Sequence, residues 1–428
     1  MSGRPVYIAD GARTPFLKAR GGPGPFSPVD LAVQCGRPLL LRQPFAPESF
    51  DQVILGCVNV VPDEMNPARV AALRLGMGEA MTAFTVQINC GSGMQSIDTG
   101  FRYIREGKAD LILAGGAESL SHAPLVFRDE AVEWFSELNR ARGLSDTAEA
   151  LADFRPGHFK PLIGLEKGLT DPIVELNMGQ TAEVLAHLFD ISREAADSYA
   201  VRSHLRLARA QSEGWLDGEV TPAFSADGEV FESDDGVRPE SSEDKLAGLK
   251  PVFEPPWGKV TAGNSSQITD GASWVVLASE EAVKAHGLEP IAEIADSEWA
   301  ALDPSIMGLG PVMSATPLLN RNDRDLDDIE LWEINEAFAA QVLACVAAWE
   351  DETFCRDALG LDEPMGSLDA ARLNIDGGAI SLGHPVGTSG NRIVLHLANA
   401  MRREGKSLGV ATECIGGGQG GAMLIRAA

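Results

Sequence analysis

Glycine-rich turns set directly against strand-like runs constrain the fold of this chain more than any other feature. The run AFTVQIN, rich in β-branched and aromatic residues, reads as a strand and leads into CGSG at Cys90. Beyond that turn Met94, Ile97, Phe101 and Ile104 recur at helical spacing until Gly107 ends the pattern. A second turn, GGAISLGHPVGTSG, frames His384 and predicts a helix from about Thr388 to Arg403. A third follows the strand-like GVATECI, which ends at Cys414. It passes through GGGQGG into GAMLIRA and reads as a tight hairpin between two strands. Strands that alternate with helices in this way predict an α/β protein.

The chemistry of these turns narrows the function. A thiol at a strand-to-helix turn sits near the positive end of a helix, which predicts that Cys90 is favoured as thiolate, the nucleophilic form. A thiol with an imidazole suits covalent acyl transfer. A second thiol, Cys414, points to proton movement on carbon at the same site. Taken alone, Cys-Gly-Ser-Gly reads more readily as a buried packing cysteine than as a nucleophile. The His384 run is not a phosphate-binding loop, because no Gly-Lys-Ser/Thr follows it. The glycines after Cys414 do not open a helix, so they are not a dinucleotide fingerprint. Their bare N–H groups suit an oxyanion hole instead.

The chain has 428 residues, too many for one ordinary core, so two or three domains are expected. No apolar run is long enough to span a membrane, and MSGRPVYIADGARTPF lacks the apolar segment of a signal peptide. Six cysteines without paired spacing read as reduced thiols, and a cytoplasmic location is expected. Cys35, Cys57, Cys345 and Cys355 read as packing residues, and no cluster has metal-ligand spacing. A net charge of −27 argues against nucleic acid as a partner.

Two related halves with an insertion are expected. FDQVILGCV (50–58) and DIELWEINEAF (328–338) read as matching strand-and-turn elements. The turns at Cys90 and His384, each with its helix, form a second matching pair. Between Ser121 and about Lys250 lie a charged helical stretch, VFRDEAVEWFSELNRARGL, a longer helical stretch from Met178 to Glu213, and the acidic loop SADGEVFESDDGVRPESSED.

With these runs assembled, the chain resembles the thiolase family. The resemblance rests on INCGSGMQS around Cys90, GKVTAGNSSQITDGA from Gly258, EINEAFAAQ around Asn335, GGAISLGHPVGTSG around His384 and ECIGGGQGG around Cys414. It implies a duplicated five-layer αβαβα fold. Its N-terminal domain would span 1–280, carrying an inserted loop domain at 122–250, and its C-terminal domain 288–428. It also implies roles. Cys90 would be the acylated nucleophile, His384 its general base and Cys414 the second acid/base. His384 with a water held by Asn335 would form one oxyanion hole, and the backbone N–H groups of Cys90 and Gly416 the other. Coenzyme A would be a substrate, with no further cofactor and no metal. Arg238 matches a position at its adenine and phosphate end, partly answering the acidity of the chain, and Ser266 one on the pantetheine arm. Met178, Met307 and Phe338 match positions lining the acyl and pantetheine channel, and read equally well as core.

Asn177 stands where the acetoacetyl-CoA-forming branch usually has His, and 125–172 is longer than in that branch. Both resemble the thiolases of fatty-acid β-oxidation, so the expected activity is cleavage of 3-ketoacyl-CoA by CoA. The alternatives are an acetoacetyl-CoA-forming acetyl-CoA C-acetyltransferase, a condensing enzyme acting on an acyl carrier protein, and a non-enzymatic acyl-CoA or lipid-binding relative. A homodimer or homotetramer is expected. Val132, Trp134, Phe135 and Leu138 mark a surface for a hydratase/dehydrogenase subunit, or a segment that folds back onto the body.

Overall fold

The structure, a computed structural model, describes residues 3–428. Nine principal strands carry the fold: β1 (Val6–Arg13), β2 (Gln52–Gly56), β3 (Thr82–Val86), β4 (Leu111–Ser119), β5 (Thr269–Ser279), β6 (Ala292–Ala301), β7 (Leu331–Ile334), β8 (Leu408–Ile415) and β9 (Gln419–Ala427). Together with the short strand Leu17–Lys18, which pairs with β5, they form one sheet in the order β7-β8-β9-β6-β1-β5-β4-β2-β3.

The expected duplication is visible in this order. In the first half β2 runs parallel to β4, and β5 lies antiparallel between β4 and β1. In the second half β7 runs parallel to β8, and β9 lies antiparallel between β8 and β6. The halves meet where β1 pairs with β6 at Tyr7↔Glu293 and Ile8↔Ala292. The matched segments 50–58 and 328–338 supply β2 and β7, the equivalent strands of the two halves.

Apolar side chains on both faces of each half-sheet require helices on both faces, as for parallel strands generally. The Ser92–Arg105 and Val386–Glu404 helices pack against each other in the centre. Met94, Ile97, Phe101 and Ile104 share one buried cluster there with Ile393, Val394, Leu397 and Met401. The Pro28–Leu41 and Pro67–Arg74 helices cover the outer face of the first half, and Gly310–Arg321 and Ala339–Glu350 that of the second. The result is five layers, α/β/α/β/α.

The insertion departs from expectation at one point. The stretch from Met178 to Glu213 is two helices, Met178–Leu188 and Arg193–Ser212. Asp190 between them takes a left-handed φ of 50°, which a continuous helix excludes, and Ser192 caps the second. Trp134 folds back onto the insertion's own second helix, Leu144–Ala152, donating its indole N–H to the Ala150 carbonyl at 2.9 Å. Val132 and Phe135 remain exposed. Among the described residues no helix is long and apolar enough to cross a membrane.

Candidate active site

The two central helices begin where they touch, and that crossing assembles the site. A Cβ on Gly93 would lie 2.7 Å from the Asn391 nitrogen and 2.9 Å from the Thr388 oxygen, so only glycine lets the two backbones meet there. Gly390 faces Met94 and Glu413 just as closely. Cys90 lies two residues before one helix and His384 two residues before the other. The crossing therefore brings nucleophile and imidazole to neighbouring helix ends. Asn335 and Cys414 come from the carboxyl ends of β7 and β8, tied by the Asn335 N–H to the Thr412 carbonyl at 3.0 Å.

Cys90 is not the resting thiolate that its helix position predicted. Burial pushes the thiol up to about 12 and outweighs the Gly416 N–H and its own N–H, both of which lie against the sulfur. The low-dielectric surroundings disfavour the charged form more than a helix end favours it. A base is then needed to take the proton. His384 suits that task, because burial, helped by Arg392, lowers its imidazole to about 4 and keeps it neutral.

The hydrogen bonds around His384 assign its tautomer. Ser389 Oγ donates to the Pro385 carbonyl at 3.3 Å, so it accepts from His384 Nδ1–H at 2.6 Å. Nε2 keeps its lone pair and has no protein partner. The Asn335 amide nitrogen lies 3.5 Å from Nδ1, and its buried oxygen is likewise without a protein partner. Cys414 is almost fully buried, and its thiol stands well above its usual value, chiefly through burial and then through Cys90 nearby. The hairpin after it pairs Cys414 with Gly420 and Ile415 with Gln419, leaving Gly416–Gly418 as its tip. Asn89 donates to the Gly416 carbonyl at 2.7 Å, fixing that tip beside Cys90.

The proposed ligand contacts separate into groups. Met178 lines a cavity of about 350 Å³ together with Cys90 and Gly416. Met307 and Phe338 sit instead in the buried cluster around Cys414. Ser266 is half-buried, with its N–H bonded to the Ala337 carbonyl at 2.9 Å. Arg238 is exposed and makes no ion pair among the described residues. Asn177 does not line the cavity; it caps the Met178–Leu188 helix, accepting from Gln180 N at 2.9 Å in a reciprocal capping box.

Three residues near the site escaped the sequence reading. Ser389 lay in the quoted GTSG, but its bond to His384 appears only once the helix forms. Glu118, the last residue but one of β4, accepts from the N–H groups of Val58, Asn59 and Gly387, bracing turns from both halves; burial pushes its carboxyl up to about 7. Glu413 is fully buried, and neither carboxyl oxygen has a protein partner. Burial holds its pKa well above the usual value, with only partial relief from Arg392. A charge inside the strand-like GVATECI was its one visible signal.

Comparison with known proteins decides the family. The model described as "Thiolase, N-terminal domain" matches residues 6–281, and "Thiolase, C-terminal domain" matches 288–427. The chain belongs to the thiolase family. This thiolase is 37% identical to the bovine mitochondrial 3-ketoacyl-CoA thiolase over 426 residues, covering 99% of this chain and 98% of that one. It is 35% identical to the human mitochondrial trifunctional enzyme subunit beta, covering 99% and 89%. Human mitochondrial 3-ketoacyl-CoA thiolase in complex with CoA superimposes with a TM-score of 0.85 at 36% identity, covering 99% and 98%. The protein is therefore an acyltransferase that works on coenzyme A thioesters, and the reading as a non-enzymatic binder is set aside. The cytoplasmic expectation is also corrected: these relatives are mitochondrial, so the cysteine count and the composition of the first residues were no guide to compartment.

Proposed function

We propose that this thiolase cleaves 3-ketoacyl-CoA with CoA, giving acetyl-CoA and an acyl-CoA shortened by two carbons. The observation that carries the reading is Cys90 on the cavity wall at the start of one central helix, with Cys414 close to it and with His384, which Asn335 contacts, at the start of the other. Cys90 Sγ attacks the 3-keto carbon while His384 Nε2 takes the thiol proton. Backbone N–H groups of Cys90 and Gly416 face the developing oxyanion. The bond between C2 and C3 then breaks, leaving the acyl group on sulfur and an acetyl-CoA enolate, which Cys414 protonates. His384 and a water on Asn335 stabilise that enolate oxygen. The incoming CoA thiol gives its proton to the Cys414 thiolate and attacks the acyl-cysteine; the bond to Cys90 Sγ breaks, the leaving sulfur takes back the proton held on His384, and the shortened acyl-CoA is released. Each oxyanion donor is worth about 3–4 kcal/mol of barrier. Acyl-CoA supplied without acceptor should leave one acyl group on the Cys90 peptide; a label on Cys414, or normal turnover by Cys90→Ser, overturns the assignment.

The proposed units are 1–280, with the loop domain at 122–250, and 288–428. Arg238 and Ser266 are proposed to hold the phosphate and pantetheine parts of the coenzyme. A homodimer is proposed, in which β3, the half-buried strand at the open edge of the sheet, meets its counterpart in a second copy. Light scattering at micromolar concentration that returned only a 45 kDa species would reject it. Val126, Phe127, Val132 and Phe135, all exposed on the insertion, are proposed as the surface for a β-oxidation partner subunit.

A further inference from the structure

The cavity beside Cys90 has walls from both halves and from the insertion, mostly apolar, with Asn59, Gln87, Asn89, Thr170 and Asp171 also on the wall. Leu120, Pro124, Leu165, Leu169, Met178 and Val386 supply apolar surface, with Leu165 and Leu169 coming from the Gly164–Gly168 helix and the turn after it. The backbone of Gly164 holds this helix in place by donating to the Pro124 carbonyl at 2.9 Å. No Lys, Arg or His side chain stands on the wall. The one charged side chain there is an acid, Asp171, whose Oδ1 accepts the N–H groups of Ile173 and Val174 at 2.8 and 3.1 Å. Asn177, the residue that distinguished this chain from the short-chain branch, is occupied in a helix cap and cannot set acyl length directly.

We infer that Leu165 and Leu169 of the insertion set the acyl specificity of this enzyme, and that the cavity takes uncharged, unfunctionalised acyl chains while rejecting chains that end in a carboxylate. The inference rests on the proposed thiolysis at Cys90 and names its substrate class. An alkyl chain lying along the leucine, proline and methionine walls loses only water contacts. A terminal carboxylate would lose its hydration, find no cation and meet Asp171, a combination for which burial is heavily penalised.

The test compares 3-ketohexanoyl-CoA with 3-oxoadipyl-CoA, which has the same carbon skeleton length and a terminal carboxylate, alongside acetoacetyl-CoA and 3-ketooctanoyl-CoA. The wild-type enzyme should favour 3-ketohexanoyl-CoA over 3-oxoadipyl-CoA by about 100-fold in kcat/KM. Each methylene seated in the cavity should add about fourfold. Leu165→Trp and Leu169→Trp should lower the ratio of 3-ketooctanoyl-CoA to acetoacetyl-CoA cleavage. Leu169→Arg should raise the ratio of 3-oxoadipyl-CoA to 3-ketohexanoyl-CoA, a gain that misfolding does not produce. Equal or better cleavage of 3-oxoadipyl-CoA by the wild type, or unchanged ratios in all three variants, overturns the inference while leaving thiolysis intact. Failure to cleave any of the four substrates overturns the proposed function itself, and the inference with it.

Discussion

His384 owes its chemistry to a residue one helical turn away. Ser389, which also donates to the Pro385 carbonyl, favours the Nδ1–H tautomer, and that tautomer leaves Nε2 free for the proposed transfer of the Cys90 proton. Ser389→Ala should slow Cys90 acylation by about 10- to 100-fold, within the usual contribution of a positioned base, while Ser389→Thr restores most of it; rapid-quench measurement of acyl-enzyme formation decides this. The same burial that keeps His384 neutral sets its pH behaviour. Its conjugate acid lies at about 4, below the ordinary 6.5, so protonation should remove the base only as pH falls towards 4. Acylation after a brief pH jump should hold its rate through pH 6; an acid limb centred near 6.5 would contradict this. Cys414 is proposed to have a separate task. Cys414→Ala should still acylate Cys90 but lose exchange of the acetyl-CoA methyl protons with deuterated water. Exchange at the wild-type rate would reject its proton-transfer role.

At the scale of elements, the site depends on how closely two helices approach. Alanine is the better helix former by about 1 kcal/mol, so Gly93→Ala would stabilise an isolated helix. Here the new methyl would press on the Asn391 and Thr388 backbone, which cannot rotate aside, and overpacking of about 1–3 kcal/mol wins. Urea melts should show net destabilisation, and acylation should slow because the two helix ends are forced apart. A gain in stability would mean that the crossing is looser than drawn. The elements themselves were largely legible in the sequence. The strand before Cys90, the helix after it, the helix after His384 and the Cys414 hairpin all follow from local periodicity and glycine placement. What local pattern hides is competition between distant groups. The helix end beside Cys90 promised a thiolate, but layers contributed by residues hundreds of positions away bury the sulfur and reverse that promise. Asn177 is the opposite case: its use as a cap is local, set by Gln180 three residues on, and the capping-box spacing was there in the sequence.

For the whole molecule, a buried ionic cluster fastens the loop domain to both halves. Arg13 of β1 reaches Glu219 at 2.9 Å and Asp234 at 2.7 Å, both from the insertion. On the other side Arg392 pairs with Glu333 at 3.1 Å and Arg403 with Asp376 at 2.7 Å. His396 joins the groups, 3.1 Å from Glu219 and 3.2 Å from Asp376. Arg13, Arg392, Arg403 and a charged His396 then face Glu219, Asp234, Glu333 and Asp376, of which burial raises Glu333 to about 7. Burial opposes the charge on the imidazole, but Glu219, Asp376 and Glu333 together raise His396 to about 10 from an ordinary 6.5. A folded-state value above the unfolded one stabilises the protein fully below pH 6.5, and that contribution is lost as pH rises through about 10. His396→Leu removes the buried partner of Glu219 and Asp376 and should cost about 3–5 kcal/mol at pH 6. The gap in melting temperature between wild type and His396→Leu should therefore be widest at pH 6 and should close towards pH 10. A gap that stays constant across this range would show that His396 is neutral in the fold and that the cluster is held by its arginines alone.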